Sequence, residues 1–292
     1  MIPIPNAVIG GSGLYQLEGM TDIQEIEVDT PFGRPSDAII IGELDGLRVA
    51  FLPRHGRGHR ISPTELPARA NIYALKSLGV KRIIASSACG SLREDMAPRH
   101  IVIADQLYDR TRHRAPHTFF EDGIVAHIGF ADPFCPCLRQ ILVDGARAAG
   151  ATAHDGGTMV VMEGPQFSTR AESAAYRRLG FDTIGMTALP EAKLAREAEI
   201  CYASMNLVTD YDVWYEAHGD VTVEMVVATM RANVETAKAI VRYALPLMEA
   251  MDDCTCDCGS ALAGAIITDP VRIPQARKKE LKLLIQKYVD VE

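Results

Sequence analysis

Short apolar runs of four to nine residues alternate along this chain with amphipathic stretches, and that alternation confines it to a layered α/β architecture. Strands are predicted at Ala7–Gly10, Asp37–Ile41, Arg48–Leu52, Arg82–Ser86, Ile101–Ala104, Thr158–Met162 and Cys201–Thr209. Several are continuous Val, Ile and Ala runs rather than alternating ones, as strands buried on both faces require. Helices are predicted between them at Leu66–Leu78, Leu138–Ala149, Arg170–Leu179 and Pro190–Glu199. The β–α order implies a mixed, largely parallel sheet.

The longest helical pattern runs from Thr222 to about Met251. Val223, Val226, Val227, Met230, Val234, Ala237, Val241, Ala244 and Met248 recur on one face of it. Thr222 is placed as its N-cap, with Met225 where a capping box would carry Glu. His113–Ile128 has little periodicity and several His and Phe residues, so it is predicted as a long loop of the kind that carries function. With 292 residues the length allows one large domain or two modest ones, and no repeat or low-complexity linker divides it.

Charge restricts the partners. A formal net charge of −8 gives no polycationic field for nucleic acid or an anionic membrane, so any bound anion must be held by a local cluster of donors. The first residues lack a basic signal-peptide region, and no apolar stretch approaches the roughly 20 residues of a membrane span. A cytoplasmic protein is expected. Seven cysteines, an odd number, do not read as a secreted disulfide framework. The run Cys254-Thr255-Cys256-Asp257-Cys258 has poor spacing for a zinc site. A labile disulfide or idle surface thiols fit it as well, and no metal is expected.

Five segments carry residues suited to ligand chemistry, each with a plainer structural explanation beside it. Gly10-Gly11-Ser12-Gly13-Leu14 lets backbone approach an anion and adds the Ser12 hydroxyl, although a tight turn would use the same residues. It has neither the third glycine of a dinucleotide fingerprint nor the pattern of a nucleophile elbow. Arg54-His55-Gly56-Arg57-Gly58-His59-Arg60 packs cations into an acidic chain; it is a solvated loop or, directly after a strand, a phosphate loop. Ser86-Ser87-Ala88-Cys89-Gly90-Ser91 offers small residues and hydroxyls at a strand end, with Cys89 read as a packing residue rather than a nucleophile. In Met162–Glu172, a Gly-Pro turn presents Phe167, and Ser168 or Thr169 can cap the next helix; the ring could also stack on a planar base. Val208-Thr209-Asp210-Tyr211-Asp212 ends a strand with carboxylates two residues apart, which point the same way on extended backbone. They either cap a turn or read a purine edge and supply a proton.

Together and in this order, these segments resemble the methylthioadenosine phosphorylase and purine nucleoside phosphorylase family. The likeness runs from about Ala7 to Met248, and Ala88-Cys89-Gly90-Ser91-Leu92-Arg93-Glu94 and Asp132-Pro133-Phe134-Cys135-Pro136 are similar to the methylthioadenosine branch. The resemblance implies an α/β fold of one domain spanning residues 1–292, with a central mixed sheet, a small barrel, flanking helices and a cysteine-containing tail from about residue 252. It implies phosphate held by Ser12, Arg54, His55, Ser87, the Ala88 amide and Thr187, with Met186 against the ribose. Phe167 and Ser168 would border the base, and Asp210 and Asp212 would face its N7 and 6-amino edge. Val223, Val226 and Val227 would form an apolar wall for a 5′-methylthio group, unless they are simply core. His127 would reach a neighbour's 5′ pocket in a homotrimer; cysteine tails of this kind also occur in hexameric relatives. Gly185 stands where some relatives carry Asn.

The activity so implied is phosphorolysis of a purine nucleoside, with 5′-methylthioadenosine the expected substrate and Asp210 the proton donor. Inorganic phosphate is a co-substrate, and no metal or organic cofactor is called for. A carboxylate at Asp210 suits a 6-amino group, whereas at a 6-oxo group it would meet another acceptor. Two other functions stay open at this level: a phosphorylase preferring inosine, guanosine or methylthioinosine, and a non-catalytic nucleoside-binding protein.

Overall fold

A computed structural model describes residues 3–11, 14, 18–114, 116–215, 222–251 and 254–291. Its strands are β1 (Asn6–Gly10), β2 (Thr21–Ile26), β3 (Ile39–Leu44), β4 (Leu47–Pro53), β5 (Arg82–Ser91), β6 (Ile101–Ile103), β7 (Gln106–Arg110), β8 (Ala153–Asp155), β9 (Thr158–Met162), β10 (Thr183–Gly185) and β11 (Cys201–Asp210). Its α-helices are α1 (Ala68–Ser77), α2 (Pro136–Ala148), α3 (Arg170–Arg178), α4 (Ala188–Glu197), α5 (Val223–Glu249), α6 (Gln275–Glu280) and α7 (Lys282–Ile285). The strands join in one mixed sheet in which β5 is the branch point, pairing with β1, β10 and β11.

The period-two alternation of each central strand sorts its side chains onto two faces. Ala7 and Ile9 of β1, Ala50 and Leu52 of β4, and Ile83 and Ala85 of β5 enter one core cluster with α1 and α4. Their neighbours Val8, Val49, Phe51 and Ile84 enter a second cluster with α2 and α5. Both faces of the sheet are therefore covered, which is why these strands read as unbroken apolar runs. The segment after α5 belongs to the first cluster through Leu262, Ile273, Leu281, Leu284, Ile285 and Val289. Among the described residues, no helix is long and apolar enough to cross a membrane.

Strand direction places the site. β1 is parallel to β4 and β5, and β11 is parallel to β5, so the C-terminal ends of all four share one edge of the sheet. Ligands of open α/β sheets bind beyond that edge. β10 runs antiparallel to β5 with Thr183 opposite Ser91 and Ile184 opposite Gly90. Continued along the chain, that register carries Thr187 to Ser87.

Several predicted bounds move for physical reasons. Asp37 lies outside β3, because its carboxylate accepts from the backbone N–H groups of Ala38 at 2.9 Å and Arg57 at 2.7 Å. β5 continues through Ser91, so Ser87 and Ala88 lie within a strand rather than in a loop after it. β2 was not predicted because Thr-Asp-Ile-Gln-Glu-Ile is nearly all exposed and has no apolar face. Thr222 caps α5 as expected, accepting from Met225 N at 3.3 Å.

Candidate active site

Arg54 leaves the end of β4 and is only 2% exposed. Its Nε and Nη2 donate to the two carboxylate oxygens of Glu191 at 2.9 and 3.0 Å, and Nη1 donates to Ser86 O at 2.9 Å. Tyr202 donates its hydroxyl to the same carboxylate at 2.8 Å. Burial works against the Arg54 charge, but Glu191 outweighs it and raises the guanidinium further above its ordinary value. A bidentate pair of this kind holds the fork in one orientation. Arg54 Nη1 then reaches Ser87 Oγ at 3.4 Å, and Ser87 Oγ meets Thr187 Oγ1 at 2.9 Å. Thr187 stands at the N-cap of α4 without spending its hydroxyl on that helix. A guanidinium and two hydroxyls therefore converge, donors that suit an oxyanion.

His55 follows Arg54 and is half-buried. Burial, followed by the Arg54 charge, lowers its pKa to about 4. The ring is neutral near pH 7, and with Ile61 O accepting 2.9 Å from Nδ1 the proton sits on that nitrogen. The rest of the basic loop is structural in part: Arg57 is spent on Asp37 and Glu25 at 2.9 and 2.8 Å. Ala88 is half-buried on β5 beside these groups. Ser12 lies outside the described residues.

Asp210 ends β11 beside Gly90 of β5. A β-carbon at Gly90 would stand 3.0 Å from Asp210 Oδ1 and 3.0 Å from Ile184 Cγ2, so glycine makes room for the carboxylate. Burial pushes the Asp210 carboxyl up, while contacts with the Thr209 hydroxyl and the Asp212 N–H pull it back. Thr209 Oγ1 lies 2.7 Å from Asp210 Oδ2 and 3.1 Å from Cys89 O. A hydroxyl owns one proton. If it goes to the Cys89 carbonyl, Asp210 satisfies the shorter contact by carrying a proton itself. Asp212 is held at φ 52°, buried, with its N–H donating to Asp210 Oδ1 at 2.8 Å. Among the described residues its Oδ2 is buried with no hydrogen-bond partner, an acceptor suited to an amino group. Burial also pushes this carboxyl up. Cys89 is buried in the core and burial raises its thiol, which fits packing and not nucleophilic work.

Gly90→Ala is expected to lower turnover on the order of tenfold to a hundredfold by displacing Asp210, with near-native circular dichroism. Steady-state kinetics of the variant checks this, and wild-type turnover would contradict it.

The remaining side is built by a residue that the sequence reading did not single out. Arg114, buried in the predicted loop, donates to the carbonyls of Leu189 at 2.8 Å, Met162 at 3.2 Å and Glu163 at 2.6 Å, and to that of Met186. It also pairs with the Glu163 carboxylate at 3.3 Å. That carboxylate accepts from Arg112 N, His113 N and Thr64, and these bonds overcome burial to hold its pKa at about 2. One guanidinium thus ties the turn bearing Phe167 and Ser168 to the chain bearing Met186 and Thr187. Gly164, at φ 68°, leaves room for Met186, whose Sδ would lie 2.5 Å from a β-carbon there. Ser168 is buried at the start of the α3 approach with Oγ 3.8 Å from Met162 Sδ, and Phe167 is 43% exposed. At Gly185 a side chain would press on Met159 at 3.3 Å, so an Asn there would need Met159 to move.

Arg114→Met leaves those carbonyls without their shared donor. The expected results are a loss of about 3 kcal/mol in urea unfolding and a larger rise in nucleoside KM than in phosphate KM. Equal KM changes would count against the positioning role.

Val223 and Val227 are exposed on the first turns of α5, Val223 by 62%, and Val226 is half-buried. None of the three belongs to the core clusters, so the core explanation for them fails. No described contact joins them to Asp210 or Arg54. His127 is exposed on the loop before α2, where its N–H donates to Ala265 O at 2.9 Å. A surface groove of about 830 Å³ lies elsewhere, between Leu92–Asp95, α3 and Trp214. Convergence of side chains, rather than groove size, marks the site.

Anion-binding donors and a buried carboxylate thus meet at the shared C-terminal edge of parallel strands. Residues 5–246 match the model of the phosphorylase superfamily, to which the chain belongs. It is 58% identical to S-methyl-5′-thioadenosine phosphorylase of Chloroflexus aurantiacus, with 96% of this chain and 97% of the relative covered. Identity to the protein of the same name from Geobacter sulfurreducens is 56%, covering 97% and 98%. Among solved structures, a methylthioadenosine phosphorylase from an antarctic soil metagenomic library superposes with a TM-score of 0.93 at 44% identity, covering 98% of this chain and 100% of that one. A Schistosoma mansoni methylthioadenosine phosphorylase in complex with adenine superposes with a TM-score of 0.82 at 35% identity, covering 90% and 99%.

Proposed function

We propose that this chain cleaves 5′-methylthioadenosine with inorganic phosphate, giving adenine and 5-methylthioribose 1-phosphate. The observation that carries the reaction type is the placement of an anion-binding set and a buried carboxyl, its pKa raised by burial, on one strand edge. Ser87 and Gly90, beside which Asp210 lies, are three residues apart on β5, a span of about 10 Å. That is the reach from a phosphate beneath ribose C1′ to the far edge of the attached purine.

In the proposed reaction the N9–C1′ bond breaks ahead of attack, its electron pair entering the purine while C1′ takes on oxocarbenium character. Asp210 delivers a proton to N7 and so neutralises the leaving base. Phosphate, held by Arg54, Ser87, Thr187, the Ala88 amide, His55 and Ser12, stabilises the cation and forms the new C1′–O bond. The neutral His55 ring, with its proton on Nδ1, offers Nε2 to a protonated phosphate oxygen. Protein catalysis here is positioning and preorganised charge. No cofactor beyond the phosphate co-substrate is needed.

The substrate follows from the base edge and the 5′ pocket. Asp212 Oδ2 can accept from a 6-amino group, Phe167 and Ser168 border the base, and Met186 lies against the ribose. An apolar wall of Val223, Val226 and Val227 would leave a 5′-hydroxyl without a partner, costing about 1–3 kcal/mol. Those exposed valines, and exposed His127 from a neighbouring subunit, complete the pocket in a homotrimer or a hexamer. The chain acts as a single unit, tail included, in the cytoplasm. Phosphorus NMR of a reaction mixture tests the chemistry: one α-configured sugar 1-phosphate is expected per adenine. Adenine with free methylthioribose would replace phosphorolysis by hydrolysis.

A further inference from the structure

Every cysteine except Cys89 is drawn into one place, at the end of the sheet opposite the candidate active site. Cys135 is the N-cap residue of α2, Cys201 opens β11, and Cys256 and Cys258 flank the start of a short 3₁₀ turn at Asp257–Ser260. The backbone N–H of Cys135 donates to Tyr202 O at 2.8 Å, fixing α2 beside the first residues of β11. Cys137 and Cys254 are bonded to each other as a disulfide. The other four sulfurs all lie within 4.8 Å of one another. Cys256 Sγ is 3.7 Å from Cys135 Sγ and 3.5 Å from Cys201 Sγ.

Four thiolates around a tetrahedral zinc at about 2.3 Å stand about 3.8 Å apart, so the observed spacing is that of ligands sharing one ion. Soft thiolates in a closed tetrahedron select zinc over the hard cations. We propose that Cys135, Cys201, Cys256 and Cys258 form a tetrathiolate site for a soft divalent cation, zinc by preference, that fastens the C-terminal segment to the start of the central strand. Binding sends the four thiol protons to solvent and leaves a dianionic complex. Cys135 and Cys258 are buried and Cys201 and Cys256 half-buried, the closed surroundings of a structural site rather than a catalytic one. Independent contacts bring the same segment to the same place: Leu262 N donates to Glu199 Oε1 at 3.1 Å and Lys287 Nζ to Gly259 O at 2.9 Å. The linear C-x-C-x-C run conceals the site because two ligands come from α2 and β11, far away in sequence.

Metal analysis of the intact protein, purified under reducing conditions without a polyhistidine tag, tests this. The expected result is about one zinc per chain, retained in Cys137→Ser and lost in Cys258→Ser. Cobalt substitution should give the absorption of a tetrahedral cobalt thiolate in the wild type. A strong chelator should lower the unfolding midpoint of wild type and Cys137→Ser alike. Metal-free protein that takes up neither zinc nor cobalt would overturn the proposal, as would mass mapping that finds Cys135, Cys201, Cys256 and Cys258 paired as disulfides.

Discussion

Asp210→Asn is expected to lower kcat by about 10²–10⁴-fold, the usual worth of a positioned proton donor, and to leave phosphate affinity nearly unchanged. Asn keeps the geometry: its carbonyl can accept from Asp212 N as Asp210 Oδ1 does at 2.8 Å, and its amide can donate to Thr209 Oγ1. Only the acidic proton is lost. The same substitution should raise the unfolding midpoint at neutral pH. Burial raises the folded-state pKa of Asp210, so its protonated form favours folding. That contribution is present below the unfolded value near 3.9 and is lost as pH rises through the raised folded value. At neutral pH the buried carboxyl therefore opposes folding, and an amide removes that opposition. By the same sign, an Asp210 that works as an acid loses activity as pH climbs through its raised pKa. Steady-state kinetics, phosphate titration and thermal unfolding of the one variant read all three. Turnover at the wild-type rate would remove Asp210 from the chemistry.

The second large effect falls on the ion pair beneath the phosphate cradle. Arg54→Met leaves Glu191 buried with Tyr202 as its remaining side-chain donor, and breaking a buried pair from one side costs about 3–5 kcal/mol. Urea unfolding should show that loss, and phosphate saturation should disappear from the kinetics. The double variant Arg54→Met/Glu191→Leu separates the two roles. Replacing both charges by apolar groups should restore most of the stability while phosphate binding stays lost. Recovery of phosphate affinity in the double variant would show that Arg54 does not hold the anion.

The fold was legible because its central strands are buried on both faces, which writes them as apolar runs, and because α5 carries one long stripe. The exposed β2 and the three-residue β8 and β10 left no such mark, since pairing with neighbours rather than local pattern makes them strands. In the site, Arg54, Ser87, Asp210 and Asp212 could be picked out from their place at or after predicted strands, whereas Thr187 came only from the family resemblance, because the short β10 before it left no pattern. Glu191 was not picked out, although a signal existed. It is a lone carboxylate on the same helical face as Leu194 and Ala195, and a charge on a buried stripe asks for a partner. Arg114 gave no local signal, because its bonds go to carbonyls on chain segments distant in sequence. The gathering of the cysteines gave no local signal for the same reason. Spacing within Cys254–Cys258 says little when the partners sit on α2 and β11.

The most direct test compares methylthioadenosine, adenosine, methylthioinosine and inosine side by side, each with and without phosphate. Base release is expected only with phosphate, far faster from methylthioadenosine than from adenosine, and slow from both 6-oxo substrates. Faster release from inosine or methylthioinosine would contradict the 6-amino acceptor role given to Asp212, and no phosphate-dependent release from any of the four would contradict the reaction itself.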